Sequence, residues 1–224
     1  MGTLYVVATP IGNLEDVTLR ALRVLKEVDL ILAEDTRKTK ILLNKYEINT
    51  PAISFHQYTK VKKINYLISQ LKSGKNLALV SEAGTPGISD PGGKLISEIS
   101  KLSEVRIIPI PGPNAAITAL SVSGFPADKF LYLGFLPKKK GRKKLIENLK
   151  LIIENYEYTM VFYESPYRIF KTLKELLITL GDREVTICRE LTKKFETLYQ
   201  GKISQVIPKI KEKGEFVIVL RSEK

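Results

Sequence analysis

The segment Ser81-Glu-Ala-Gly-Thr-Pro-Gly-Ile-Ser-Asp-Pro-Gly-Gly93 is the strongest local signal for ligand chemistry in this chain. Gly84, Gly87, Gly92 and Gly93 let the backbone approach a ligand closely or take a positive φ, and Pro86 and Pro91 stiffen the turn. Pro91 suits the first position of a helix, with Asp90 as its cap, whose N–H groups would face an anion. An ordinary β–α connection ending in a capped helix accounts for the same composition. In Pro111-Gly-Pro-Asn-Ala-Ala-Ile-Thr-Ala-Leu120, Pro113 stands at a helix start with small residues behind it. That pattern serves close packing on a sheet as readily as a bound planar group. Glu34-Asp-Thr-Arg37 sets two carboxylates and a guanidinium side by side, which suits proton abstraction and phosphate binding. It also describes an ion-paired helix start, with the carboxylates on the helix dipole.

Two familiar nucleotide signatures are absent. After Gly87 the chain reads Gly92-Gly93-Lys94-Leu95, with no hydroxyl behind the lysine, so it is not a phosphate-binding P-loop. Only Gly12 follows the first strand, where a dinucleotide fingerprint needs three glycines. One cysteine, Cys188, and one histidine, His56, exclude an internal disulfide, a Cys-rich zinc site and a His-based triad. Cys188 reads as a buried strand residue, and His56 as a packing or hydrogen-bonding residue. The 36 Lys+Arg against 24 Asp+Glu leave a net charge of +12, which favours a polyanionic partner such as RNA, DNA or an anionic surface. The densest cluster is Lys138-Lys-Lys-Gly-Arg-Lys-Lys144. Phe162-Tyr-Glu-Ser-Pro-Tyr-Arg168 and Arg189-Glu-Leu-Thr-Lys-Lys194 offer further rings and cations for RNA, or solvated turns. Leu4–Ala8 is too short and lacks the basic lead of a signal peptide, and no run approaches the ~20 apolar residues of a membrane span. The expected location is the cytoplasm.

The elements that must position these residues follow from apolar periodicity. Short continuous runs at Leu4–Ala8, Val28–Ala33, Ala52–Phe55, Asn76–Ser81 and Val105–Ile110 read as strands. Amphipathic helices are expected over Val17–Lys26 behind an Asp16 cap, over Ile64–Leu71, and from Pro91. Strands buried on both faces and separated by helices imply a mostly parallel α/β sheet, whose ligands bind beyond the strands' carboxyl ends. The segments singled out above all fall at such ends. Ser121–Lys129, with Gly124 and Pro126, breaks the pattern and places a domain boundary between residues 122 and 123. Beyond it, strands are expected at Phe130–Leu136, Tyr158–Glu164, Val185–Arg189, Glu196–Gly201 and Phe216–Leu220, with helices at Lys143–Asn155, Arg168–Leu180 and Ile203–Lys213. The short gap from Arg189 to Glu196 predicts a hairpin, hence a mixed sheet. The fold class is therefore α/β in two domains, 1–122 and 123–224.

Thr9-Pro-Ile-Gly-Asn-Leu14, Ala33-Glu-Asp-Thr-Arg37, Leu79–Gly92, Pro111–Leu120, Phe162-Tyr-Glu-Ser165 and Arg189-Glu-Leu-Thr-Lys193 occur in that order. Together they resemble the ribosomal RNA small-subunit methyltransferase I family, the 2′-O-ribose branch of the tetrapyrrole methylase superfamily, from residue 3 to about residue 220. The resemblance implies two α/β domains with S-adenosylmethionine in the cleft between them, and a homodimer. It implies methyl transfer to the ribose 2′-oxygen of a cytidine in the decoding region of small-subunit ribosomal RNA. By motif, the cofactor-binding residues would be Pro10, Gly84, Thr85, Pro86, Ile88, Asn114 and Ala115, with Tyr163, Leu191 and Val217 from the second domain. Thr85 stands where the superfamily usually has aspartate, and Thr9-Pro-Ile-Gly12 replaces the glycine-rich first loop of the porphyrin and corrin enzymes. Both departures match the RNA branch. Longer members carry a C-terminal tail with no counterpart in these 224 residues.

For that reaction a sulfonium methyl group is already electrophilic, so no metal is expected, and alignment of nucleophile and donor does most of the work. Glu34, Asp35 and Glu164 are the candidate bases, with Glu190 behind them, and Arg37 would orient a carboxylate or hold a phosphate. Lys138, Lys139, Lys140, Arg142, Lys143, Lys144, Arg189 and Lys193 are the candidate RNA contacts. The rival readings are a small-molecule tetrapyrrole methylase and a non-catalytic RNA-binding assembly factor.

Overall fold

The computed structural model describes residues 1–56 and 58–221. The chain divides into two compact units, Met1–Asn114 and the residues from Ala115 onward.

The first unit runs β1 (Thr3–Val7), α1 (Leu19–Glu27), β2 (Leu30–Ala33), α2 (Thr36–Lys45), β3 (Ala52–Ser54), α3 (Val61–Lys72), β4 (Leu77–Val80), α4 (Gly93–Ile99) and β5 (Arg106–Ile110). Its five strands are all parallel, in the order β3-β2-β4-β1-β5. The continuous apolar runs are explained by helices on both faces. On β4, Ala78 and Val80 join Val24, Leu25, Leu42 and Leu43 of α1 and α2. Leu77 and Leu79 point the other way, to Leu67 and Leu71 of α3 and Leu95 and Ile99 of α4. Because β1 lies between β4 and β5, the loops leaving these three strands open on one edge at the point where the strand order turns back, the usual place for a ligand in an open α/β sheet.

Two helix starts differ from expectation. Leu14–Asp16 closes a 3-10 turn capped by Asn13, and Thr18, not Asp16, caps α1, its Oγ1 accepting the Ala21 N–H at 3.1 Å. The helix after the long loop begins at Gly93 rather than Pro91, because Gly92 takes φ +136° as its N-cap. A Cβ on Gly92 would lie 2.8 Å from Leu79 Cδ2, so only glycine brings the chain into α4 this tightly.

The second unit runs α5 (Ala115–Ser121), β6 (Phe130–Phe135), α6 (Arg142–Asn155), β7 (Thr159–Glu164), α7 (Ile169–Leu180), β8 (Glu184–Arg189), β9 (Thr197–Lys202), α8 (Ile203–Val206) and β10 (Phe216–Leu220). Its sheet is mixed, in the order β6-β7-β10-β8-β9. Only β6 and β7 pair in parallel, and β8–β9 is the expected hairpin. Ile146, Leu149, Phe162, Leu173, Leu176 and Ile218 centre a core under α6 and α7. The helix expected over Ile203–Lys213 stops after one turn and passes into a 3-10 turn at Ile207–Lys209. Pro208 has no N–H to continue the ladder. The division between the units falls one short helix before the boundary expected at 122/123. The small buried residues of α5, Ala116 and Ala119, let that helix pack on β7, β8 and β10 of the second sheet. No helix among the described residues is long and apolar enough to cross a membrane.

Candidate active site

The carboxyl ends of β1, β4 and β5 are tied into one cradle. Thr9 and Gly84 exchange both backbone hydrogen bonds at 2.9 Å. The Ser81 hydroxyl donates to the Gly84 carbonyl at 3.0 Å, and the Thr9 hydroxyl to the Ser81 carbonyl at 3.3 Å. Thr85 Oγ1 donates to the Pro113 carbonyl at 3.2 Å and accepts from Asn114 Nδ2 at 3.3 Å. Gly84 has φ +83°, and a Cβ there would lie 3.3 Å from Ile11 Cγ2. The turn therefore needs glycine both for its dihedral and for the close approach. Pro10 and Pro86 are buried in the cradle, whereas Ile88 is exposed. The structure thus gathers Pro10, Gly84, Thr85, Pro86 and Asn114 within the first unit. Residues 8–13, 81–88 and 111–114 contain no lysine or arginine. Such a cradle suits a ligand of neutral or positive character better than a phosphate, which needs cationic partners.

The same loop walls a cavity of 730 Å³, lined by Glu34 after β2, Phe55 and His56 after β3, Asp90 and Gly92 at the approach to α4, and Lys94 in its first turn. Withdrawal from water raises the Glu34 carboxyl above its ordinary range, and the Glu82 carboxylate adds to the effect, while Lys38 and His56 oppose it. Burial pushes the Asp90 carboxyl up to about 6, with Glu34 the next contributor, while the neighbouring Ser81 hydroxyl opposes the shift. Lys38 pairs with Glu82 and so limits the negative charge at this edge. A carboxylate of this kind is ionised at neutral pH yet more basic than an ordinary aspartate, which suits it to take a proton from a hydroxyl. Sequence reasoning placed Asp90 as a helix cap and missed its place in this cavity. The available signal was an acidic residue inside a glycine-proline loop without a basic neighbour.

The other candidate bases have structural work. Asp35 caps α2, its Oδ1 accepting the Arg37 N–H at 2.8 Å. That backbone hydrogen bond, ahead of the Arg37 charge, holds its carboxyl below the usual range. The Arg37 side chain is 91% exposed and, among the described residues, pairs with Asp35 at 3.4 Å. Glu164, expected as a base, is instead a buried anion in the second unit. It pairs with Arg168 at 2.7 Å, accepts the Ser165 N–H at 2.8 Å and accepts from the Thr172 hydroxyl. Glu190 accepts the Glu215 N–H at 2.8 Å and pairs with Lys193 at 3.2 Å.

The basic candidates divide in the same way. Lys138, Lys139, Lys140, Lys143 and Lys144 are exposed. Arg142, in the middle of that run, is buried: Nε bonds Glu175 at 2.7 Å, Nη2 bonds the Thr172 hydroxyl at 2.7 Å, and Nη1 bonds the Pro137 carbonyl at 3.1 Å. Arg189 is also buried and holds the carbonyls of Phe195 and Lys213. Both arginines are therefore framework groups rather than surface contacts for RNA. Lys193 is half-buried, with Glu215 at 2.7 Å. Of the second-unit cofactor candidates, Tyr163 and Val217 are cross-strand partners on β7 and β10. Leu191 is buried just beyond β8, while Ala115 opens α5.

Residues 3–207 match the family described as Tetrapyrrole (Corrin/Porphyrin) Methylases. A Thermotoga maritima protein named Ribosomal RNA small subunit methyltransferase I is 48% identical over 223 residues, with 98% of each chain covered. Its namesake in Halalkalibacterium halodurans is 49% identical over 224 residues, covering 98% of this chain and 75% of the relative. Among solved structures, the methyltransferase CobJ shares the fold with a TM-score of 0.73 at 16% identity, over 99% of this chain and 95% of that one.

Proposed function

Because the chain belongs to the ribosomal RNA small subunit methyltransferase I family of tetrapyrrole methylases, we propose that it methylates small-subunit ribosomal RNA, at the ribose 2′-oxygen of a cytidine in the decoding region, with S-adenosylmethionine as donor. Its partner is that RNA or the assembled small subunit, and it acts as a homodimer in the cytoplasm. The observation that carries this reading is the cradle built from the ends of β1, β4 and β5, which lacks cationic side chains and adjoins a cavity holding raised carboxyls. The donor fits the residues present: it bears a positive sulfonium, and the cradle offers main chain and small side chains at close approach.

Pro10, Gly84, Thr85, Pro86, Ile88 and Asn114 would hold the donor on the first unit, and Ala115, Tyr163, Leu191 and Val217 on the second. When bound, S-adenosylmethionine supplies a methyl group on a sulfur that departs neutral. Thr85 and Asn114 keep the cradle's two loops in register through their shared hydroxyl. The carboxylates of Glu34 and Asp90 accept the proton that the ribose hydroxyl releases as its oxygen is alkylated. His56 and Lys94, on the same cavity wall, orient the sugar and its phosphate. The net charge of +12 draws the polyanion to the protein.

The test is to incubate the purified protein and methyl-labelled S-adenosylmethionine with small ribosomal subunits lacking the modification, then map the labelled nucleotide. Label on the 2′-oxygen of one cytidine is expected. Label on a base, or transfer to a tetrapyrrole but not to RNA, overturns the reading.

A further inference from the structure

Phe135 has no part in the chemistry above, and its position is unusual. On an unbroken strand it would follow Leu131 and Leu133 toward the core, since side chains alternate with period two. The pairing of β6 with β7 shifts register between Tyr132 and Gly134, where Gly134 takes φ +58°. A bulge of this kind re-aims the residues beyond it. Phe135 is therefore paired with Tyr163, its ring tilted against the Tyr163 ring with centroids 5.3 Å apart. Tyr132 meets the same Tyr163 ring edge to face at 5.6 Å. The outer ring, Phe135, remains 56% exposed on β6, at the edge of the sheet.

The chain then enters the lysine run, and the intervening loop is clamped. Arg168 Nη1 bonds the Leu136 carbonyl at 2.9 Å, and Arg142 Nη1 bonds the Pro137 carbonyl at 3.1 Å. Both arginines end on the buried Glu164, Arg168 directly and Arg142 through the Thr172 hydroxyl. Three exposed lysines, Lys138 to Lys140, thus start from a fixed backbone, with Lys138 at most about 11 Å along the chain from Phe135. An exposed ring backed by other rings and bordered by ordered cations matches one polyanion in particular. A base must be out of its helix to lie on a side chain, and its phosphates then sit within reach of neighbouring lysines.

We propose that Phe135, supported by Tyr163 and Tyr132, is a stacking platform for an unpaired RNA base, and that Lys138, Lys139 and Lys140 hold the adjoining phosphates. The second unit so selects single-stranded RNA over duplex. This rests on the ribosomal RNA reading and adds the conformation of the substrate to it.

The experiment measures binding of a short single-stranded RNA carrying 2-aminopurine, and of the same sequence annealed to its complement, across a salt series. The wild-type chain is expected to bind the single strand about tenfold more tightly than the duplex. Phe135→Ala loses about tenfold on the single strand with its salt dependence unchanged, and Phe135→Trp recovers the affinity and the fluorescence quenching. Lys138→Ala/Lys139→Ala/Lys140→Ala flattens the logarithmic salt slope by about 2. Equal binding by Phe135→Ala and wild type, or a tryptophan variant no better than alanine, overturns the proposal. Methyl transfer to small subunits is followed in parallel. Phe135-dependent binding without any transfer supports the platform and removes the proposed activity, whereas transfer with binding indifferent to Phe135 removes the platform alone.

Discussion

Replacing Asp90 by asparagine tests the carboxylate cavity, because stability and activity should move in opposite directions. The Asp90 carboxyl shifts from 3.8 to about 6, so its ionised form is disfavoured in the folded chain. At about 1.4 kcal/mol per unit, the shift sets a ceiling of about 3 kcal/mol. Asp90 keeps part of its water shell, and screening brings the expected effect down to roughly 1 kcal/mol. The sign follows from linkage: with the folded-state value above the unfolded one, the group costs nothing below 3.8, its cost grows between 3.8 and about 6, and it is constant above that. Asp90→Asn should therefore unfold at higher urea than wild type at pH 7.5, by roughly 1 kcal/mol, with the advantage shrinking as pH falls through that window. The same variant should lose about a hundredfold in methyl transfer, and the rise of wild-type turnover through pH 6 should vanish. A stability difference that is the same at pH 7.5 and pH 4.5, or undiminished transfer by Asp90→Asn, would refute the assignment.

Arg142→Met removes a buried cation from the network around Glu164 and should cost about 3 kcal/mol in urea unfolding, with much of the loss recovered in Arg142→Met/Glu164→Gln. Gly92→Ala forces φ +136° on a residue with a Cβ and sets that carbon against Leu79, so a loss of about 1–3 kcal/mol is expected, read as a fall of several degrees in Tm.

The parallel sheet was legible because each strand of the first unit is a short apolar run, and the alternation in Leu77-Ala-Leu-Val80 is hidden by burial on both faces. The β8–β9 hairpin was legible from the short gap between two strands. What escaped depends on partners distant in the chain. Arg142 lies within a lysine run and reads as solvated, yet its partners Thr172 and Glu175 sit on α7, beyond β7 and 30 and 33 residues further along the chain. Glu164 shares a motif with Tyr163 that looks like a strand-end acid, and only the folded second unit shows it closed in by Arg168 and Thr172. Asp90 acquires its character first from burial and then from Glu34, which follows β2 and is far away in the chain, with Glu82 of its own loop adding less. The start of α4 at Gly93 turned on which of the loop's four glycines caps the helix, and the run of glycines alone does not distinguish them.

The innermost tie of the cradle is made of peptide groups: the Thr9–Gly84 bridge is main chain on both sides, and the hydroxyls of Thr9, Ser81 and Thr85 add bonds to carbonyls around it. Peptide groups are the same at every position, so that bridge asks for glycine at 84 and leaves the side chain at 9 free to serve the Ser81 carbonyl. Substitution of a side chain elsewhere on the cradle's rim would therefore leave the Thr9–Gly84 bridge in place, since neither of its hydrogen bonds depends on one.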